Sequence, residues 1–258
     1  MDSVLTIMRI KLTIEYDGTE YAGWQIQPNE ITVQQVIETA IFKITGEQVT
    51  LTASGRTDAG VHAKGQVAHF DTNANISPDR FKNAINSKLP NDIRILKSEE
   101  VDGEFSARYS AKKKTYEYRF YIGEKSPLKE RYALNAEYLD IKSMKKCAKK
   151  IVGEHDFKCF CSSGSSVKTT VRTVYSIKIN RDGDFISVFV TGNGFLYNMV
   201  RYIAGTLKAV SDKKISLKEV EEMLFSGVRL NAVTPLSAKG LTLKKVEYDK
   251  KQIKNDKK

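Results

Sequence analysis

Apolar and polar residues alternate with a period of two in several segments of the chain, a pattern typical of half-buried β-strands. The alternation predicts strands over residues 9–16, 47–53, 66–71, 92–101, 114–121 and 241–248. It also covers residues 171–191, where the turn sequence Arg-Asp-Gly-Asp at 181–184 divides the segment into the two strands of a predicted hairpin. Sheets are therefore expected in both halves of the chain.

Apolar residues three and four positions apart predict helices between these strands, over residues 32–45, 141–152, 198–210 and the segment after Ser216. Thr32 and Gln35 form a capping-box sequence at the start of the first helix. Ser77 followed by Pro78 predicts one more helix start, and Pro90 predicts the end of that helix. Each half of the chain thus combines strands with helices.

This alternation of elements predicts an α+β fold with antiparallel pairings in each half. An Asp-Gly pair and a run of small and basic residues interrupt the pattern near residues 102–112. We place the domain boundary there and divide the chain into residues 1–105 and 106–258. The Lys-rich end from residue 250 onward is predicted to fray.

The charge balance indicates a class of partner. The chain of 258 residues has 42 lysines and arginines against 31 aspartates and glutamates, a net charge of +11, and an isoelectric point near 9.4. A polyanion such as RNA is therefore the first candidate. Hydrophobic residues make up 41% of the chain, which supports a globular core and excludes a collagen-like or wholly disordered chain.

The sequence also excludes several other classes. No apolar run approaches the roughly 20 residues of a spanning helix, and the N-terminus does not resemble a signal peptide, so we expect a cytoplasmic protein. Phosphate-loop, dinucleotide-binding, nucleophile-elbow and H-E-x-x-H motifs are missing from the sequence. Three cysteines, Cys147, Cys159 and Cys161, do not make a disulfide framework. No metal is expected either, because a zinc site needs about four ligands, and His155 with these cysteines leaves the fourth ligand missing.

A Gly-rich segment, SGRTDAGVHA at residues 54–63, is the sharpest candidate for chemistry. Its glycines allow positive φ and a close approach of the backbone to a ligand. Arg56 and Asp58 are two residues apart, so an extended segment places both side chains on one side, where they can face a substrate together. The alternative is a glycine turn with an exposed ion pair, which is common and contributes at most about 1 kcal/mol.

Aromatic and basic residues are interleaved in a second segment, KKKTYEYRF at residues 112–120. Tyr116 and Tyr118 share one face of the predicted strand, and Lys113, Thr115 and Arg119 share the other. Such a pattern suits RNA, because bases stack on aromatic rings while cations contact phosphates. A half-buried strand with a basic edge explains the pattern equally well.

A third segment, TGNGFLYNMVRYIAGTL at residues 191–207, places Gly192 and Gly194 before a mostly apolar helix. The free amides at a helix N-terminus form a natural anion site. Arg201 lies within this helix and, if buried, needs an acidic partner, for which Asp58 is the candidate. Alternatively, Arg201 extends to solvent.

Taken together, these segments resemble the tRNA pseudouridine synthase A (TruA) family. The resemblance covers nearly the whole chain, and the pairing of GRTDAG with the MVR helix is highly specific. The segments that carry it are EYDGTEYAGWQ (15–25), SGRTDAGVHAKGQVAHF (54–70), FSARYSAKKKTYEYRF (105–120), GEHDF (153–157), GNGFLYNMVRYIAGTL (192–207) and PLSAKGLTLKKVEY (235–248).

The resemblance implies a pseudouridine synthase fold, in which two α+β halves with antiparallel sheets surround a central basic cleft. It implies an enzyme that isomerises uridine to pseudouridine at positions 38, 39 and 40 in the anticodon stem-loop of tRNA. Such an enzyme acts as a homodimer, binds tRNA across both subunits and uses no cofactor or metal. By resemblance, Asp58 is the catalytic aspartate, Tyr116 stacks on the target base, and Arg56 and Arg201 are basic residues around the aspartate.

Two other functions stay open at the level of the sequence. A non-catalytic RNA-binding protein would keep Tyr116 and the lysines but would not need Asp58 together with Arg56 and Arg201, so the presence of all four residues favours an enzyme. An enzyme of the same family acting at another RNA position would also keep all four, because target choice depends on shape read by dispersed basic residues.

Overall fold

The computed structural model describes residues 7–164 and 167–249. In chain order its elements are β1 (Met8–Tyr16), α1 (Val33–Thr45), β2 (Thr52–Ala53), β3 (His62–Thr72), α2 (Phe81–Asn86), β4 (Ile93–Val101), β5 (Lys113–Tyr121), α3 (Pro127–Glu130), β6 (Leu134–Asn135), α4 (Ile141–Ile151), β7 (Gly153–Asp156), β8 (Val171–Asp182), β9 (Phe185–Gly192), α5 (Met199–Ser211), α6 (Leu217–Ser226) and β10 (Leu241–Glu247). Two compact units are formed, the first by residues 7–112 with 243–249 and the second by the remaining described residues.

The first unit is built on a sheet in the order β4-β1-β3-β10, with β2 paired to β3. Strand β1 runs antiparallel to both of its neighbours, and its alternating residues Ile10, Leu12 and Ile14 are fully buried. Helix α1 begins at a side-chain cap from Thr32 and ends at Gly46, whose φ of 75° is left-handed. The sequence pattern predicted both elements to within a residue at each end.

The second unit is built on an antiparallel sheet in the order β5-β9-β8-β7, with β6 parallel to β5. Tyr116 of β5 lies opposite Val190 of β9, and Val190 lies opposite Ile177 of β8, so the three side chains point to one face. Helix α4 packs against α5, α6 and β8. The predicted hairpin is confirmed, with Gly183 at a φ of 57° in its turn.

Two predicted elements are shorter in the structure. The strand predicted over 47–53 is reduced to β2, because side chains rather than a neighbouring strand bind the backbone before it: the amide of Leu51 donates to the Glu38 carboxylate at 2.7 Å. The helix predicted from Ser77 is α2 alone, preceded by a turn. Its end is fixed by Asn86, whose amide side chain exchanges two hydrogen bonds with the backbone of Ile95 in β4.

The grouping of the chain also differs from the predicted division at residues 105 and 106. The first unit extends to Lys112, and the last strand returns to it, since β10 lies beside β3. Periodicity along the chain predicts that a strand forms but carries no information about a partner far away in sequence. Within residues 7–164 and 167–249, no helix is long and apolar enough to cross a membrane.

Candidate active site

The loop between β2 and β3 carries Arg56 and Asp58 in the first unit. Residues 56–58 form neither a helix nor a strand: Arg56 is exposed, Thr57 is buried and Asp58 is half-buried. The buried residue anchors the loop, because the hydroxyl of Thr57 shares a hydrogen bond of 2.8 Å with the hydroxyl of Tyr16 in β1. Burial raises the pKa of Tyr16 well above its ordinary value, so this phenol stays neutral. The segment that carries both charged side chains is therefore anchored to β1 through Thr57.

Backbone contacts from residues 17–24 hold the same loop from a second direction. The amide of Trp24 donates to the Thr57 carbonyl at 3.0 Å, and the amide of Gly60 donates to the Tyr21 carbonyl at 3.3 Å. Gly23 has a φ of 94°, and a Cβ placed on it would lie 2.6 Å from the Thr57 carbonyl oxygen. Only glycine fits this approach, so the DGTEYAGW segment is a cradle for the loop that carries Asp58.

Polar side chains close the two ends of the loop. At its start, the Ser54 hydroxyl donates to the Gln66 side-chain oxygen at 2.6 Å, and the Gln66 amide donates to the Gly55 carbonyl at 2.8 Å. At its end, His62 accepts a hydrogen bond of 3.0 Å from the Gly18 amide at Nδ1. His62 is buried, and this contact is that of a structural histidine. Sequence reasoning identified the loop but missed the contacts that fix it.

Tyr116 lies in β5 of the second unit and is only 8% exposed. Its ring meets that of Phe195 edge to face, with centroids 5.2 Å apart and planes at 87°. Phe195 belongs to the turn between β9 and α5, so the turn that precedes the arginine helix packs on the tyrosine strand. The proposed stacking of Tyr116 on a base is not tested by this geometry and stays a prediction.

Arg201, in the first turn of α5, is held by the second unit. Its Nε donates to the Leu236 carbonyl at 2.6 Å, and one Nη1 hydrogen goes to the side-chain oxygen of Asn198 at 2.7 Å. Asn198 caps the helix with a left-handed φ of 62° and also donates to the Ser162 hydroxyl at 2.9 Å. These contacts fix the plane of the guanidinium. The pairing with Asp58 expected from the sequence stays a prediction, since the two residues belong to different units.

Gly192 and Gly194 both lie before the start of this helix, as expected from the sequence. Gly192 is the last residue of β9, and Gly194 lies in the turn, so neither glycine leads directly into α5, which begins at Met199. A Cβ on Gly192 would lie 2.9 Å from the Thr173 carbonyl oxygen, so this glycine serves the packing of two strands. The anion site expected at the start of α5 stays a prediction.

Cysteines and metal-ligand residues form no site in the described part of the chain. No group of three or more His, Cys, Asp or Glu residues is placed there to hold a metal ion. Burial raises the pKa of the Cys147 thiol to about 12 and that of Cys159 to about 11, so both are protonated at neutral pH.

Comparison with known proteins identifies close relatives. A family model described as tRNA pseudouridine synthase matches residues 12–110 and 147–249, which include Asp58 and Arg201 but not Tyr116. The tRNA pseudouridine synthase A of Clostridium botulinum (strain Alaska E43 / Type E3) is 48% identical over 93% of this chain and 99% of its own length. The tRNA pseudouridine synthase A 2 of Clostridium perfringens (strain 13 / Type A) is 49% identical over the same shares.

Proposed function

Because the chain belongs to the tRNA pseudouridine synthase family, it is an isomerase of tRNA uridines, and we propose that it acts at positions 38, 39 and 40 of the anticodon stem-loop. The α+β architecture of both units agrees with the fold class expected of that family. The proposal includes a cytoplasmic homodimer that binds tRNA across both subunits and uses no cofactor.

The proposed reaction exchanges one bond for another and involves no net oxidation or hydrolysis. The N1–C1′ bond breaks, the uracil turns, a C5–C1′ bond forms, and the proton on C5 leaves while N1 gains one. An ionised carboxylate can begin this sequence as a nucleophile on the sugar or the base. It can also begin it as a base that removes a sugar proton to give a glycal. Both routes need one carboxylate held against the nucleotide.

We assign that role to Asp58, and the observation that carries the assignment is the way its loop is held. Three independent contacts fix the loop: the Tyr16 hydroxyl, the backbone of residues 21–24, and the Gln66 side chain. The Asp58 side chain nevertheless stays half-buried rather than fully covered. A reactive group presented by a pre-organised segment is what positioning catalysis requires.

The other three candidates support the carboxylate or the substrate in this proposal. A guanidinium near Asp58 favours its ionised form, and both Arg56 and Arg201 are assigned to this role or to substrate phosphates. Tyr116 is assigned to stacking on the target base, an interaction worth about 1–3 kcal/mol. Extruding the uridine costs a few kcal/mol, which phosphate contacts made by a chain of net charge +11 offset.

The positions are tested with tRNA transcripts that carry uridine at 38, 39 or 40 and cytidine at the other two, together with a transcript that has cytidine at all three. The readouts are the release of tritium from C5 of uracil and the mapping of pseudouridine along the transcript. We expect release from each single-uridine transcript and none from the fourth. Pseudouridine formed elsewhere, with none at these positions, would contradict the assignment but leave the family activity intact.

The two-subunit binding mode has its own test. For about six to ten phosphate contacts, tRNA affinity falls by roughly 10³–10⁵ between 50 and 200 mM salt. We expect a dimer in sedimentation at working concentration and slow turnover of an isolated anticodon stem-loop, which cannot reach the partner subunit. A monomer that modifies the bare stem-loop as fast as whole tRNA contradicts this part of the proposal.

A further inference from the structure

The positive charge of the protein is concentrated in one of its two units. The second unit contains 23 lysines and arginines against 13 aspartates and glutamates. The rest of the chain is nearly balanced, with 19 against 18, and part of that share lies in the Lys-rich terminus. A surface that attracts a polyanion is therefore to be sought within the second unit.

Helix α4 carries the densest part of this charge. Five of its 11 residues are lysines, and none is acidic. One of them, Lys150, forms an ion pair of 2.7 Å with Glu221 of α6. The other four are exposed and spaced three and four residues apart, so they form one helix face: Lys142, Lys145, Lys146 and Lys149.

The four lysines of this face destabilise helix α4 by repelling each other. Like charges four residues apart, such as Lys142 with Lys146 and Lys145 with Lys149, repel each other. The helix dipole favours lysines only in the last turn, so it does not explain the first two turns. Lys145, Lys146 and Lys149 make no ion pair with any described residue. An anionic partner would relieve this repulsion.

The face also borders a groove. A cavity of about 470 Å³ lies between α4 and β8, with Lys145 and Lys149 on the helix side and Lys178 on the strand side. Its lining is otherwise mostly apolar, with Ala148, Val152, Ile177 and Ile179. It opens along β8 beyond Val174, the last residue of that strand that pairs with β7. Lysines thus stand on both walls of a groove whose floor supports their aliphatic stems.

We propose that this groove, the α4–β8 groove, binds the sugar–phosphate backbone of the tRNA away from the target uridine. The inference rests on the proposed function for the identity of the RNA. Lysines act as point charges without the planar fork of arginine, so they suit a backbone that is held by charge rather than read by its bases. Several cations in a row along a helix match a polymer of phosphates better than a single anion.

A competing explanation is that these lysines only protect an open sheet edge from aggregation. Lysine on an edge strand commonly has this effect, and Lys178 lies beyond the part of β8 that pairs with β7, although β9 pairs with β8 on its other side. That explanation requires no change in RNA binding when the charges are removed. It also does not account for the lysines of α4, which lie on a helix. The salt dependence of binding separates the two explanations.

The test variant is Lys145→Gln with Lys149→Gln and Lys178→Gln, since glutamine removes the charge, keeps most of the side-chain length and has a helix propensity similar to that of lysine at the two positions in α4. The control is Lys43→Gln with Lys82→Gln and Lys88→Gln, three exposed lysines of the first unit whose loss changes the net charge equally. Binding of whole tRNA is measured by filter retention at several salt concentrations. Turnover of whole tRNA is measured on the same preparations, and thermal melting checks that both variants fold.

We expect the test variant to weaken tRNA binding by roughly tenfold or more at 0.1 M salt and to reduce the slope of log affinity against log salt by about two to three. The loss falls on KM rather than on kcat, and the control keeps the wild-type slope. Equal slopes for test and control overturn the inference, as does a loss confined to kcat. Binding to phosphatidylserine vesicles that is lost while tRNA binding stays intact would assign the groove to lipid instead.

A failure of the groove proposal can be distinguished from a failure of the proposed function. If the wild-type protein forms no pseudouridine in tRNA, the function fails whatever the binding slopes are. If it forms pseudouridine and the test variant binds tRNA with the wild-type slope, only the α4–β8 groove proposal fails.

Discussion

Replacing Gly23 with alanine tests whether the cradle of residues 17–24 has to hold the Asp58 loop in place. A Cβ on Gly23 would lie 2.6 Å from the Thr57 carbonyl oxygen, where ordinary contacts begin at 3.4 Å, so the two segments must separate by about 0.8 Å. A displacement of about 1 Å near reacting groups can cost roughly 10²-fold in rate. The φ of 94° adds strain of about 1–2 kcal/mol for a residue with a side chain.

We therefore expect Gly23→Ala to lose roughly 10²-fold in kcat and about 1–2 kcal/mol or more in the free energy of unfolding. The control is Gly46→Ala at the end of α1, where φ is 75° and an added Cβ meets nothing within 4 Å. The Gly46→Ala variant has similar backbone strain but makes no contact with the Asp58 loop. Single-turnover release of C5 tritium measures the chemistry, and urea unfolding measures stability. A folded Gly23→Ala protein with wild-type kcat, or a Gly46→Ala protein with an equal loss of kcat, would refute the reasoning.

Three further outcomes are expected. Tyr116→Ala should reduce turnover far more than Tyr116→Phe, because only the first removes a ring worth about 1–3 kcal/mol to a stacked base; equal, wild-type turnover of both variants would remove Tyr116 from the site. EDTA should leave activity unchanged when a polyamine keeps the tRNA folded, and a loss restored by zinc or magnesium would contradict this. The hydrogen bond from Arg9 lowers the pKa of Asp71, so the stabilisation it gives is present above the unfolded pKa of about 3.9 and is lost as the pH falls through the folded value. Urea titrations should thus find Asp71→Asn less stable at pH 7 by up to about 1 kcal/mol, with the difference narrowing as the pH falls below about 4, and a difference that does not narrow would contradict the account.

The sequence predicted correctly those elements that are determined by residues close to them in the chain. The alternation in β1, the Thr32 cap of α1 and the turn at Gly183 each act within a few residues, and the structure confirms all three. The segments that the sequence predicted less well depend on contacts with residues far away in the chain. Residues 47–51 form no strand because Glu38 and other side chains bind their backbone, and β7, for which the sequence predicted no strand, pairs with β8.

The candidate site follows the same division. Its chemical residues stand out in the sequence, since Asp58 is the only carboxylate among the glycines of its loop. The contacts that fix the loop come from Tyr16, Gly23 and Gln66, and their spacing in the sequence gives no sign that they meet it. Gly23 is the one sequence signal that could have indicated this contact, because a close approach of two backbones often requires a glycine.

The central claim, that Asp58 carries the isomerisation, is tested most directly by Asp58→Asn in a single-turnover assay with saturating tRNA. Asparagine keeps the size of the side chain and removes its charge and basicity. The control is Asp79→Asn, an exposed aspartate of the same unit in the turn before α2. We expect Asp58→Asn to fold and bind tRNA like the wild type and to lose about 10³-fold or more in rate, while Asp79→Asn keeps the wild-type rate. An Asp58→Asn protein that retains a tenth or more of the wild-type rate would contradict the account.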